Sequence, residues 1–238
     1  VIVLAIVLLP ASQIARGDVS SAAAYLKTKN PNPWVTMALV SAGESPDADY
    51  LKTTTANSAI DLEAPILALT SLGKYPRTFP NTDLVAALKN FHASNQIGDQ
   101  ALLNDDIFGV LALLSAGESK GEPVIQDSKN FIIQHQNSDG GWSFAVGGSS
   151  DTNMTSVAIM ALLEAGVPKA DASISKAVSY LKNAQNSDGG FPYDPQSQFG
   201  TNSDSSSDSW VISAIYKLGE SPTSWTKNGN NPVGHLLS

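Results

Sequence analysis

The side chains with chemical capacity in this chain are carboxylates and aromatics, and they fall at matching places. Asp105 and Asp106 are adjacent, Asp61 and Glu63 are two apart, and Asp151, Asn153 and Thr155 form a third group ahead of Asp208 and Trp210. Paired carboxylates are the equipment of general acid and base catalysis, as in glycosidic cleavage. Trp34, Phe108 and Trp210 offer an aromatic wall for an apolar or planar ligand. The simpler duties are capping of helix N-termini by Asp and Asn and core packing by the aromatics. Composition closes other routes. Without cysteine there is no disulfide, thiolate metal site, Fe–S cluster or cysteine nucleophile. His92, His135 and His235 fall at unrelated places in outer-helix patterns, so no zinc site and no other metal site is expected. The Ser203–Asp208 run (SDSSSD) does not meet the twelve-residue calcium-loop pattern and reads as a solvated loop. With 14 basic against 22 acidic residues, and no basic cluster, nucleic acid is not an expected partner.

These side chains sit on a repeat. WVTMALVSAG (Trp34–Gly43), APILALTSLG (Ala64–Gly73), FGVLALLSAG (Phe108–Gly117), VAIMALLEAG (Val157–Gly166) and WVISAIYKLG (Trp210–Gly219) align without gaps. Ala stands five before the Gly each time, at Ala38, Ala68, Ala112, Ala161 and Ala214, and Leu or Ile always follows it. Segments apolar nearly all round read as buried helices, with the Gly as a left-handed C-cap. Helical patterns carrying Tyr25, Tyr50, Phe91, Phe131 and Tyr180 alternate with them and mix apolar with charged positions, as outer helices should. Strand signals are nearly absent, so the expected class is all-α, built of helical hairpins. Apolar inner helices favour a closed double ring over an open solenoid.

After two outer helices comes the same heptapeptide: Gln136-Asn137-Ser138-Asp139-Gly140-Gly141-Trp142 and Gln185-Asn186-Ser187-Asp188-Gly189-Gly190-Phe191. This resembles the QW repeat, Gln-x3-Gly-x-Trp, of the terpenoid cyclase and protein prenyltransferase superfamily, in which the prenyltransferase/squalene oxidase repeat occurs. Phe191 replaces Trp in the second copy. Lys89–Asp99 is a worn copy that keeps Gln96 and Asp99 but lacks the paired glycines and the closing aromatic. The resemblance spans roughly 19–238 and implies an α/α toroid, with inner helices around a funnel. About five repeats are expected, with a sixth outer helix begun at 233–238 and truncated. Gln136, Gly140, Trp142, Gln185, Gly189 and Phe191 are expected to be structural, holding neighbouring repeats together.

The resemblance does not bring its chemistry with it. The Asp-x-Asp-Asp acid of class II cyclases would fall on Leu103-Asn104-Asp105-Asp106, where the leading Asp is missing. The zinc of prenyltransferases and the thioester of related toroids both need a cysteine. Asp105, Asp106 and Asp208 remain as weak catalytic candidates. The funnel mouth, at the starts of the inner helices, is expected to carry Trp34, Asp61, Glu63, Asp105, Asp106, Phe108, Asp151, Asn153, Thr155, Asp208 and Trp210. The expected function is a binding module, without catalysis or cofactor, for a hydrophobic or amphipathic small molecule (terpenoid- or corrinoid-like) or for a partner domain. The alternative is a divergent cyclase or prenyltransferase-type enzyme. Resemblance to the cobalamin carriers of the same superfamily implies a following β domain; an anchoring domain is the other expected appendage.

Val1–Leu9 (VIVLAIVLL) is too short to span a bilayer. With Pro10 and the small residues Ala15 and Gly17 it matches the core and cleavage zone of a secretory signal lacking its basic start. Residues 1–17 are therefore expected to be a partial signal peptide on a secreted or cell-surface protein without a membrane span, and 18–238 the toroid. A buried first helix is the alternative, disfavoured because the run lacks a 3.6-residue period.

Overall fold

The structure, a computed structural model, describes residues 15–79 and 81–238. The expected signal segment thus lies almost wholly outside the described residues, the first helix, α1 (Ala15–Leu26), beginning near its end. Each repeated apolar segment is a helix: α2 (Pro33–Ser41), α3 (Ile60–Ser71), α5 (Leu103–Ser115), α7 (Thr152–Glu164) and α9 (Ser205–Lys217). All five end alike. At the end of α5, Gly117 has φ +89°, and the next amide, Glu118 N, returns to Leu113 O at 3.1 Å. The same six-to-one bond closes the other four, so one glycine-based stop signal is used throughout.

Between them run α4 (Leu84–Lys89), α6 (Pro123–Gln134), α8 (Ala172–Ala184) and α10 (Pro232–Leu236). These outer helices bury one side, as Ile174, Ala177 and Leu181 of α8 show, with Ser175, Lys176 and Lys182 outside. Three outer expectations need correction. Tyr50 lies on a 3-10 turn (Asp49–Thr53) rather than an α-helix. His92 lies in a strand, because β1 (His92–Ala93) and β2 (Gln96–Ile97) form a small hairpin. Ser94 and Asn95 both take positive φ at its turn, the geometry that lets two short strands pair directly. His135 caps the C-terminus of α6 instead of lying within it.

α3, α5, α7 and α9 each form a hairpin with the outer helix after them, so the inner helices run parallel and gather their N-termini on one face. They pack in the order α2, α3, α5, α7, α9. The recurring alanines explain the close approach: Ala68, Ala112, Ala161 and Ala214 are fully buried. Trp34, Phe108 and Trp210, nine before the glycine, meet edge to face near the axis. Met37, Leu67, Leu111 and Met160, six before it, are buried one turn deeper. Ser41, Ser71, Ser115 and Glu164, two before it, are partly exposed at the far end. Bulky apolar side chains on four of the inner helices are thus buried one turn below the aromatics at the expected funnel mouth.

Candidate functional site

The mouth is built by the loops that follow the outer helices. In the first intact copy, Gln136 Nε2 donates to Gly140 O at 2.8 Å and to Ser173 O, at the start of α8, at 2.8 Å. Gln185 Nε2 does the same with Gly189 O and Trp225 O, both at 2.9 Å. Each Gln thus closes its own loop and holds the next repeat. Gly140 and Gly189 have φ +93° and +88°, and a Cβ there would lie 2.6 Å from Lys176 O or 2.5 Å from Asn231 N. No other residue fits. Asp139 and Asp188 accept from Gly141 N and Gly190 N, closing Asx turns. Trp142 and Phe191 are fully buried anchors, and Trp142 Nε1 donates to Ile132 O at 2.7 Å.

The anchor's own amide reveals a role that its neighbours hid. Trp142 N donates to Thr155 Oγ1 at 2.9 Å, and Phe191 N to Asp208 Oδ1 at 2.8 Å. In the worn copy Ile97 takes the anchor's place, its N donating to Asp106 Oδ1 at 2.9 Å. Asp106, Thr155 and Asp208 each stand eleven before the repeat glycine and are fully buried. Capping, expected for Asp106 and Asp208, is therefore corrected: both clamp the preceding loop onto the next inner helix. Asp204 caps α9 in place of Asp208, accepting from Ser207 N at 2.9 Å. Asp151 does cap, accepting from Met154 N at 2.7 Å. Asp61 accepts from Asn57 N and Ser58 N, and Asp105 from Asp99 N.

Two environments result at the starts of α3 and α5. Glu63, Asp105 and Asp106 are buried near one another, and Glu63 Oε1, Asp105 Oδ1 and Asp106 Oδ2 have no hydrogen-bond partner. Burial, reinforced by both aspartates, holds the Glu63 carboxyl well above its ordinary range. Burial pushes Asp106 up to about 7, opposed by Ser128 and by the Ile97 amide. Burial also raises Asp151, to about 6. Among the described residues no group of three or more acidic or histidine side chains is placed to hold a metal ion.

On the open side of the mouth lies the aromatic trio. Ring centroids are 5.7 Å apart for Trp34 and Phe108, 5.9 Å for Trp34 and Trp210, and 6.2 Å for Phe108 and Trp210. Trp34 remains 44% exposed. The structure thus gathers these three expected residues. It separates them in duty from Asp61, Asp105, Asp106, Asp151 and Asp208, which hold backbone; Asn153 is partly exposed and accepts from Thr152 Oγ1.

Two mouth residues escaped the sequence reading. Phe144 and Tyr193 each stand two beyond an anchor and are exposed. Phe144 O accepts from Leu103 N and Asn104 N at the start of α5, and Tyr193 O from Thr152 N at the start of α7. The available signal was the shared Gly-Gly-aromatic-x-aromatic string, Gly140–Phe144 and Gly189–Tyr193.

Inner helices sheathed by outer ones, linked by QW-type loops, define an α/α toroid of the terpenoid cyclase type. Residues 101–232, more than half of the chain, match the squalene-hopene cyclase C-terminal domain, and the chain belongs to that family. No curated protein matches the chain. Among the described residues no helix is long and apolar enough to cross a membrane.

Proposed function

We propose that the mouth binds a hydrophobic or amphipathic small molecule, terpenoid- or corrinoid-like, and that this domain performs no catalysis of its own. The observation that carries this reading is the meeting of Trp34, Phe108 and Trp210 from three inner helices, with Trp34 still open to solvent. Exposed Phe144 and Tyr193 extend the apolar surface along the N-termini of α5 and α7. Aromatic surface suits a flat or extended apolar group laid across it. A partner domain could seat on the same surface and cover the ligand.

A second reading, a cyclase-like acid at Asp106, draws on its elevated pKa, since a carboxyl protonated near neutrality can donate a proton. Against it, Asp106 is sealed from the mouth and one oxygen is engaged by the Ile97 amide. Thr155, which is no acid, does the equivalent work one repeat later.

Titration with geranylgeraniol, squalene and cyanocobalamin, read by tryptophan emission and equilibrium dialysis, tests the proposal. At least one is expected to saturate, with roughly tenfold weaker binding in Phe108→Ala or Trp210→Ala, the loss of a well-packed aromatic contact. Undiminished binding in both variants would reject the mouth as the site. Turnover of squalene that is lost in Asp106→Asn would establish the second reading instead.

A further inference from the structure

The two intact loops differ at one corner. In the second, His235 of α10 brings Nδ1 to 2.5 Å from Asp208 Oδ2 and Nε2 to 3.6 Å from Asp188 Oδ2. Asp208 is sealed, and a carboxylate can only accept. Nδ1 therefore carries the proton, and in the neutral ring Nε2 turns its lone pair toward Asp188. Asp188 is held as firmly: its Oδ1 accepts from Gly190 N at 3.0 Å and Ser203 Oγ at 2.8 Å, leaving Oδ2 to face the ring. Gly190 makes the corner possible, since a Cβ there would lie 2.5 Å from His235 Nδ1 and 2.7 Å from Ser203 Cβ. In the first loop Asp139 Oδ1 likewise accepts from Gly141 N at 3.0 Å and Ser150 Oγ at 2.7 Å. There, however, Thr155 stands in place of Asp208, and Tyr180, the counterpart of His235 in the outer helix, donates to Ser150 O at 2.8 Å. Two exchanges, Asp for Thr and His for Tyr, turn a hydrogen-bonded corner into a facing pair of electron donors.

We propose that His235 Nε2 and Asp188 Oδ2 together bind one divalent cation of the zinc class, with Asp208 as a positioning residue behind the imidazole. A separation of 3.6 Å is too long for a hydrogen bond. It fits two adjacent ligands of one ion: with metal–ligand bonds of about 2.1–2.2 Å, donors that far apart subtend about 110–118° at the metal, near the tetrahedral angle. The other ring nitrogen donates to a carboxylate, the outer-shell arrangement that fixes the tautomer and raises the basicity of metal-binding histidines. Imidazole with carboxylate favours zinc-like ions over Ca²⁺ and Mg²⁺, which prefer oxygen ligands throughout. Both groups open on a cavity of about 350 Å³, lined also by Asn230, Asn231 and Ser238, where water completes the coordination. The other two histidines lack this setting. His92 Nε2 is bonded directly to Asp127 Oδ2 at 3.0 Å, and His135 Nδ1 to Phe131 O at 2.9 Å. The two ligands lie far apart in the chain, so histidine spacing alone showed no site. The ion fastens α10 to the second loop, the duty that the Tyr180 bond performs between α8 and the first.

Equilibrium dialysis of the full 1–238 protein against zinc chloride at about pH 7.5, followed by metal analysis, is expected to find one saturable ion per chain. Asp188→Asn keeps an acceptor for Gly190 N and Ser203 Oγ but gives up the anionic ligand. It is expected to weaken binding roughly tenfold or more, as is His235→Gln. Asp139→Asn makes the same change in the first loop and, like His92→Gln, is expected to leave the affinity unaltered. Asp208→Asn reads the positioning role separately. Its amide oxygen goes to Phe191 N and its NH₂ group to His235 Nδ1, so the ring takes the Nε2–H tautomer, seen in the histidine ¹⁵N spectrum. Zinc affinity then falls roughly ten- to a hundredfold. Absence of a saturable ion, or equal affinity in Asp188→Asn, His235→Gln and the unchanged protein, overturns the site. Loss of binding to the same extent in Asp139→Asn overturns it too, since the ion would then not select the loop that faces His235. An unchanged tautomer and affinity in Asp208→Asn overturn the positioning role.

Discussion

The loops ending at Ile97 and at Phe191 are fastened by the same bond in opposite electrostatic company. Each gives its amide to a buried aspartate, Asp106 or Asp208, eleven residues before a repeat glycine. Around Asp106 the neighbouring charges are the acids Asp105 and Glu63, and its other polar neighbour is the uncharged Ser128 hydroxyl. Around Asp208 the second oxygen meets His235 Nδ1 at 2.5 Å, and His235 Nε2 lies 3.6 Å from Asp188. Burial raises Asp208 while the His235 bond draws it back, and the same bond raises His235. Between the two, Thr155 fastens Trp142 with no charge at all. The position needs an acceptor, and its charge is a local elaboration.

Removing what is held should produce the largest contrast between intact and worn copies. Trp142→Ala empties a fully buried indole site and removes the indole donor from Ile132 O, which keeps only the 3.3 Å bond from His135 N, at a cost of roughly 3–5 kcal/mol. Ile97→Val, trimming the anchor of the worn copy, costs only about 0.5–1.5 kcal/mol. Urea unfolding midpoints of the two variants measure the difference, and equal shifts would sink the view that the intact loops carry more of the ring's cohesion.

Changing the clamp while keeping its acceptor gives a smaller and more discriminating effect. Asp208→Asn can still accept from Phe191 N but loses the charged bond to His235, a loss of about 1.5–3 kcal/mol at pH 6. Asp106→Asn also keeps its acceptor, and it removes a carboxyl from among two others. Its stability at pH 7.5 is expected to match or exceed that of the unchanged protein. Destabilisation of both variants to the same degree would mean that Asp106 has an unrecognised cationic partner.

What was legible in the sequence follows a physical line. The inner helices, their glycine stops and the anchoring roles of Gln136, Trp142, Gln185 and Phe191 are local or repeated, so spacing alone displays them. The clamps were misread as caps because their partners lie 9 and 17 residues away in the chain and meet them only after the loop folds back. The hairpin at Ser94-Asn95 was missed because its turn requires positive φ from two residues that are not glycine. Periodicity shows which face is apolar and cannot show that Met37, Leu111 and Met160 are buried one turn below the aromatic trio.

A further contrast lies in pH dependence, and it separates the two clamps by window. A buried acid whose folded pKa lies above its unfolded value keeps its proton while the unfolded chain has released its own. Stability therefore declines as pH rises from about 4 toward the folded pKa, by at most about 1.4 kcal/mol per pH unit for each group. For Asp106 that window closes near 7, and for Asp151, which adds the same sign, near 6. His235 behaves differently: its raised folded pKa contributes stability fully present below its ordinary value near 6.5, and lost as pH rises through the folded pKa. The unchanged protein should thus lose Tm throughout pH 5–8. Asp106→Asn is expected to flatten the decline up to about pH 7, relieving Glu63 as well, and to leave the part that His235 contributes. Asp208→Asn should flatten the decline through the His235 range, because His235 then loses its principal carboxylate, and also remove the smaller contribution of Asp208's own raised pKa at lower pH. Differential scanning calorimetry of the three proteins at half-unit intervals reads both windows, and identical profiles in the two variants would show that the clamps share one electrostatic environment after all.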